Sequence, residues 1–425
     1  MQRRRFLGMT AAGAATAALA PVLTACGSEG PGGDKKLKLV AADYGDKAAN
    51  SSKKYWDKLV HEFEKKHGGI KVDVEVYSWT EVDKRVADMV AAGKAPDLAQ
   101  IGAYADFAAA GKLYSADQMI SIPTQAEFIS SVAKAGEVHR VQYGLPFVGS
   151  TRLLFFNKAL FRKAGVAKAP ESWDEIVAAA TKLKAAGVKI PFGLPFGPEE
   201  APAETMLWLL GGGGGYTDNT GAYTIGTPEN IKTFTWLRDE LVGKGLAGPS
   251  DPARTNRQDV FDGFTKGEVG MLHGHPTLMQ QAKAQNIDFD MAPLPGIKGK
   301  ANSTMGVADW MMAFKRNGHR EEIGTFLDFV YSKDNVLSFT GQYRLLPVTT
   351  TASTAMRDSR ADSDLWPFLD QLQNAEFYPA DKTSWAKVSV AIKQKIGAAV
   401  QKGGDPSAIL GEIQREAEAI ENAGQ

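Results

Sequence analysis

An α/β fold divided over two lobes is the fold class that this sequence predicts, and three observations carry it. Short apolar runs of strand length alternate with capped helical stretches from one end of the chain to the other. The 425 residues exceed what one hydrophobic core organises before a chain divides, so two domains with a cleft between them are expected. Hydrophobic residues make up 44% of the chain, enough apolar mass to pack two such cores without covalent staples.

The N-terminus reads as an export segment. Arg3-Arg4-Arg5-Phe6-Leu7 supplies a positive start, and 9–25 is an Ala-rich apolar run too short to cross a bilayer comfortably. Arg3 and Arg4 followed by Phe6-Leu7 resemble the twin-arginine export pattern, and Leu23-Thr24-Ala25-Cys26 resembles the bacterial lipobox. Cys26 is the single cysteine of the chain, which excludes a disulfide framework and marks a lipid attachment point. A flexible linker over 27–36 follows. No later stretch is apolar for the length of a membrane span, so the exported chain is expected to be tethered and not embedded.

The first strand is expected over 37–43, and Tyr55, Leu59 and Phe63, spaced by four, mark one helix face. Val72, Val74 and Val76 alternate as a second strand. Thr80 is placed as the cap of a helix to about 92, Gly93 ends it, and 97–101 forms a third strand. Strand, helix, strand is the beginning of a parallel sheet with crossover helices. Further on, Ser172-Trp173-Asp174-Glu175 reads as a capping box opening a helix that stops at Gly187. Thr227-Pro228-Glu229 starts another, with Ile231, Phe234 and Leu241 on one face. Five consecutive glycines, 211–215, require a loop. Strands are expected at 270–274, 289–293 and 307–314, a helix over 383–400, and a last helix from Asp405-Pro406.

Specific motifs run through this pattern: Tyr143-Gly144-Leu145-Pro146; Leu153-Leu154-Phe155-Phe156-Asn157-Lys158; Ala164-Gly165-Val166; and Ser172-Trp173-Asp174-Glu175. In order, spacing and chemistry they resemble the family 1 extracellular solute-binding proteins of ABC importers. Pro96-Asp97-Leu98, the stretch 261–271, Phe326-Leu327-Asp328-Phe329 and Leu345-Leu346-Pro347-Val348 extend the likeness over nearly all of the chain beyond the linker. The resemblance implies a two-lobe periplasmic-binding-protein-like (Venus flytrap) fold. Its lobes are discontinuous, 37–148 with 307–346 and 152–303 with 350–425, and hinge crossovers lie near 149–152, 303–306 and 346–350. The implied function is capture of a sugar or oligosaccharide and delivery to permease subunits, by a monomer anchored through Cys26 on the outer face of the cell membrane. A binding protein for a non-sugar solute and a secreted carbohydrate-cleaving lipoprotein are the alternatives.

A sugar offers apolar C–H faces to aromatic rings and hydroxyls that need partners once water leaves. Trp385, at the start of the 383–400 helix, lies where the resemblance implies a ligand-stacking tryptophan. Tyr44-Gly45-Asp46-Lys47 resembles the family's sugar-binding loop, which singles out Tyr44 and Asp46. Trp79 and Tyr104 follow the second and third strands, at the open edge of a parallel sheet. Glu204, just before Trp208, lies near the second-lobe contacts that the resemblance implies. Asp309 and Trp310 sit in the strand after the second crossover. His275 is a hydrogen-bonding candidate; with His273 it shares a strand face, but two histidines without a third partner make a poor metal site.

Other chemistries find little support. Lys plus Arg and Asp plus Glu both number 49, so no net field favours nucleic acid. The Gly-Lys pairs at 93, 111, 243 and 299 lack the following Ser or Thr of a phosphate-binding loop. No Gly-x-Ser-x-Gly or His-Glu-x-x-His occurs, and no cofactor is called for. Glu199 and Glu200 with Glu204 would be the carboxylates of a glycosidase.

Overall fold

The computed structural model describes residues 35–45 and 48–423. The export segment, Cys26, the linker up to 34 and Asp46 lie outside the described residues.

The chain opens as β1 (Lys35–Ala42), α1 (Ser52–Lys66), β2 (Ile70–Tyr77), α2 (Val82–Ala91) and β3 (Leu98–Ile101). β1 lies between β2 and β3 and is parallel to both, as expected of strands joined by crossover helices. α1 buries Tyr55, Trp56, Leu59, Val60 and Phe63, the stripe that the spacing of four marks. Thr80 does not cap α2. The N-cap position falls on Glu81, and the hydroxyl of Thr80 instead meets Ser78 Oγ at 2.9 Å in the turn before the helix.

β4 (Leu145–Thr151) and β5 (Leu153–Asn157) are separated by Arg152 alone. They are followed by α3 (Trp173–Ala185), β6 (Ile190–Gly193), α4 (Ala201–Gly211), α5 (Pro228–Trp236), α6 (Arg257–Thr265), β7 (Val269–Gly274), α7 (Pro276–Ala284) and β8 (Phe289–Ala292). Ser172 caps α3 by accepting from the Glu175 amide at 3.3 Å, and the Glu175 carboxylate takes the amide of Glu171 at 2.7 Å. Then come β9 (Thr304–Ala313), α8 (Arg320–Val330), α9 (Lys333–Tyr343), α10 (Thr350–Asp358), α11 (Trp366–Leu372), β10 (Ala375–Glu376), α12 (Trp385–Val400) and α13 (Pro406–Ala423).

Two sheets result. The first runs β10-β9-β3-β1-β2, with β4 also paired to β9; the second runs β8-β5-β7-β6. β9 returns antiparallel between β3 and β4, closing the first sheet with a strand distant in sequence. The register of β9 against β4 shifts between Asp309 and Trp310, and such a bulge re-aims neighbouring side chains.

The joint between the sheets is held by backbone. Gly149 and Leu346 exchange both amide bonds at 2.9 Å, and the Thr304 hydroxyl donates to the Arg152 carbonyl at 2.8 Å. α11 packs on β4, and the Thr151 hydroxyl donates to the Phe368 carbonyl at 2.8 Å. α12 and α13 pack on each other and on α4 and α5, completing the helical layer of the second sheet. That layer buries Trp173 and Trp208 with Phe192, Phe196 and Phe234.

Candidate functional site

Three groups of side chains lie at the strand and helix ends near the joint. The first sits at the carboxyl ends of β1, β2 and β3, where an open parallel sheet presents a crevice. Tyr44 follows β1, and its hydroxyl donates to Asp309 Oδ2 at 2.7 Å. Gln100, fully buried on β3, accepts from the Ala42 amide at 3.1 Å and donates to the Tyr44 oxygen at 2.9 Å. With its lone pair so engaged, Tyr44 directs its proton to the carboxylate. Burial, then the Asp309 charge, raises the Tyr44 pKa well above its ordinary value, so it stays a donor.

Asp309 is half-buried, and burial pushes its pKa up to about 6, with the Tyr44 hydrogen bond opposing and the Asp83 charge adding to the rise. Asp83 accepts from the Gly102 amide at 3.0 Å, and burial raises its pKa too. Trp79 meets Tyr44 edge-on with ring centres 5.3 Å apart, yet remains 36% exposed. A side chain at Gly102 would lie 3.4 Å from Asp83 and 3.9 Å from the Trp79 ring, which shows how closely the group is drawn together. Behind it, burial pushes Asp43 up but donations from the Ser52 and Gly45 amides and the Ser51 hydroxyl outweigh this, so it is held below the usual carboxylate range. That loop geometry fixes the start of the turn carrying Tyr44.

The second group lines a narrow cavity of about 20 Å³ at the ends of β5, β6 and β7, room for a single water. Arg152, 6% exposed, donates to Glu200 at 2.7 Å, and Arg257 reaches the other Glu200 oxygen at 2.5 Å and Glu199 at 2.6 Å. Glu204 is buried and accepts from the Trp208 indole at 2.6 Å; the same oxygen lies 3.1 Å from His273 Nδ1. His275 lies just past β7, at the N-cap of α7 rather than on a strand face with His273, and its ring is 5.1 Å from Phe261. Burial, then the charges of Arg152 and Arg257, holds its pKa well below the ordinary histidine value. It is therefore a neutral hydrogen-bonding ring at physiological pH.

The third group is aromatic. Trp385, half-buried at the first position of α12, packs against Tyr216 and Tyr378, each with ring centres 5.0 Å away. Tyr216 is fixed by donating to the Pro202 carbonyl at 2.7 Å. Burial, then the Glu200 charge, raises the Tyr378 pKa, so this group adjoins the Arg152–Glu200 pair.

Tyr44, Trp79 and Asp309 thus come together in one group, Glu204 and His275 share the second, and Trp385 stands in the third. Tyr104 and Trp310 are brought together elsewhere: they are 1% and 2% exposed, pack edge-on at 5.1 Å, and the Tyr104 hydroxyl donates to the Ala135 carbonyl at 2.6 Å. Both are core of the first sheet. Asp83, Gln100, Arg152, Arg257 and Tyr378 belong to the three groups but were not singled out by sequence. Among the described residues no cluster of three or more His, Cys, Asp or Glu could hold a metal, and no helix is long and apolar enough to cross a membrane.

The profile of a family described as bacterial extracellular solute-binding protein matches residues 48–336. A Brucella abortus protein named as a binding protein is 28% identical over 390 residues, 91% of this chain and 93% of its own length. Among solved structures, the sugar-binding protein MalE from Xanthomonas citri superposes with a TM-score of 0.76 at 19% identity, over 92% of this chain and 98% of that one. The cyclic alpha-maltosyl-1,6-maltose binding protein from Arthrobacter globiformis gives 0.76 at 17% identity, over 91% of this chain and 99% of that one. These two likenesses speak to fold.

Proposed function

This chain belongs to the bacterial extracellular solute-binding protein family, and from that premise we propose that it captures a sugar or short oligosaccharide between its two lobes. It then delivers the solute to the permease of an ABC importer, while a lipid on Cys26 holds it at the outer face of the membrane.

The observation that carries the sugar reading is the group formed by Trp79, Tyr44, Asp309 and Asp83. Trp79 offers an accessible ring to an apolar sugar face. Asp309 Oδ2 is taken by Tyr44, which leaves the other oxygen to accept from a solute hydroxyl. Asp83 provides a second acceptor beside the same ring. Across the joint, Trp385 supplies another aromatic surface and His275 a neutral partner. Acceptors on one lobe and rings on both favour a polyhydroxylated solute over an anion, which the two carboxylates would repel.

Catalysis is not part of this reading. Glu199 and Glu200 are engaged by Arg257 and Arg152, and Glu204 by Trp208 and His273, so none of the three is placed as a free acid or base. Solute contacting both lobes binds the closed arrangement more tightly than the open one, and that difference in affinity shifts the population toward closure. A thermal-shift screen of mono- and oligosaccharides beside amino acids, polyamines and phosphate esters tests the proposal. A sugar should raise the melting temperature most; stabilisation by a non-sugar solute alone would refute the substrate class.

A further inference from the structure

The end of the first sheet opposite the candidate site carries a groove of about 370 Å³, lined by Val90, Gly93, Ala95 and Phe314 and by Lys112, Lys315 and Arg316. Lys94 lies between the lining residues Gly93 and Ala95 in sequence, and it and the three lining cations are exposed. No acidic group among the described residues pairs with any of them. Several lysines of β1 and β2 on this end do have an acid partner: Lys35 pairs with Glu322, Lys36 with Asp73, Lys38 with Glu75 and Lys71 with Glu64. Backbone bonds hold the groove's edges together, Lys315 to Lys112 at 2.9 Å and Phe314 to Asp97 at 2.9 Å.

The tether enters at this same end. β1 starts at Lys35, whose amide donates to the Gly69 carbonyl at 2.7 Å, and Lys38 shares two bonds with Asp97 beside the groove. Cys26 precedes Lys35 by nine positions, so a lipid there would keep this end within roughly 30 Å of the bilayer surface, the reach of a fully extended chain. The net charge of the exported chain supplies no general attraction to an anionic surface. Loss of residues 1–25 removes three arginines and no acid from a chain of 49 basic and 49 acidic residues, leaving the exported protein net negative.

We propose that this groove is a docking surface for the anionic headgroups of the membrane that carries the anchor, so that the undocked receptor rests on the lipid with its solute site facing away. Four cations with no acid partner among the described residues, beside an apolar floor, suit phosphate-bearing headgroups with adjoining acyl carbons. The hold is electrostatic and screened over a Debye length, so it can be exchanged for a permease. The surface is a property of the folded chain, while its tethered use rests on the anchoring proposed above.

The experiment uses the exported form, residues 26–425 carrying Cys26→Ser, so that neither a lipid nor the basic, apolar export segment contributes, and measures co-sedimentation with vesicles of phosphatidylcholine alone or with one-third phosphatidylglycerol. Binding to the anionic vesicles should exceed binding to the neutral ones at low salt and fall as salt rises. The variant Lys94→Gln, Lys112→Gln, Lys315→Gln, Arg316→Gln should weaken it at least tenfold. A matched variant on the other lobe, Lys232→Gln, Lys387→Gln, Lys393→Gln, Lys402→Gln, should change it less than twofold. Equal binding to both vesicle types, an unaffected groove variant, or equal losses in the two variants would overturn the proposal. Mass analysis of Cys26 in the exported native protein tests the anchor separately.

Discussion

Replacing Asp309 by Asn tests the electrostatics of the candidate site. The carboxyl is displaced upward by burial, from 3.8 to about 6. A carboxyl whose folded pKa lies above its unfolded value binds a proton more readily when folded, so its contribution to stability declines as pH rises through that interval and stays unfavourable above it. Two pH units correspond to about 3 kcal/mol at 1.36 kcal/mol each. Because the side chain keeps some contact with solvent, we expect about 2 kcal/mol to be realised. Asn keeps an acceptor for the Tyr44 hydroxyl without the charge. Asp309→Asn should therefore be about 2 kcal/mol more stable than wild type at pH 7.5, a melting-temperature rise of roughly 2–3 °C for a chain of this size, and the gain should vanish near pH 4. Calorimetric melts of both proteins from pH 4 to 8 isolate this from His275, whose depressed pKa gives the opposite slope below about 6.5. A variant less stable at pH 7.5, or a difference that does not vary with pH, would refute the account. Sugar affinity should fall in the same variant, since a carboxylate is the stronger acceptor.

Trp79→Ala should lower affinity for the preferred sugar by about 1–3 kcal/mol and cost far less stability than Trp310→Ala, because the Trp79 ring is 36% exposed and the Trp310 ring 2%; equal titration isotherms would refute its role. Trp385→Ala should cost a similar amount in affinity and also shift the melt, as the ring packs on Tyr216 and Tyr378. Glu200→Ala leaves Arg152 and Arg257 without their shared carboxylate, and urea unfolding should show a loss of about 2–3 kcal/mol, short of a fully buried pair because Glu200 is partly exposed; a loss under 1 kcal/mol would contradict this. Trp310→Ala should destabilise the chain by about 3–5 kcal/mol, marking it as core.

Much of the fold was legible because local signals and tertiary packing agree. The spacing of Tyr55, Leu59 and Phe63 reads directly as the buried stripe of α1, and Ser172 with Glu175 as the start of α3. Thr80 failed as a cap because Ser78 and Glu81 compete for the same turn, a contest that spacing cannot rank. In the candidate site, Trp79 and Tyr104 look alike in sequence, each just past a strand. Their difference is tertiary: β9 returns beside β3 and covers Tyr104 with Trp310, while Trp79, edge-on to Tyr44, stays 36% exposed. Arg152 and Arg257 were illegible for the same reason, since 105 positions separate them and Glu200 alone brings them together. The bulge between Asp309 and Trp310 depends on β4, whose Val148 and Pro146 lie 161 and 164 positions upstream. Asp46 and Cys26 lie outside the described residues.

Small-angle X-ray scattering on the chain with and without its most stabilising sugar tests the clamp itself. Bridging the Trp79 and Trp385 groups should contract the radius of gyration by about 1 Å, and Trp79→Ala should demand proportionally more sugar for the same contraction. Identical scattering curves at saturating sugar would mean that the solute is held on one lobe alone.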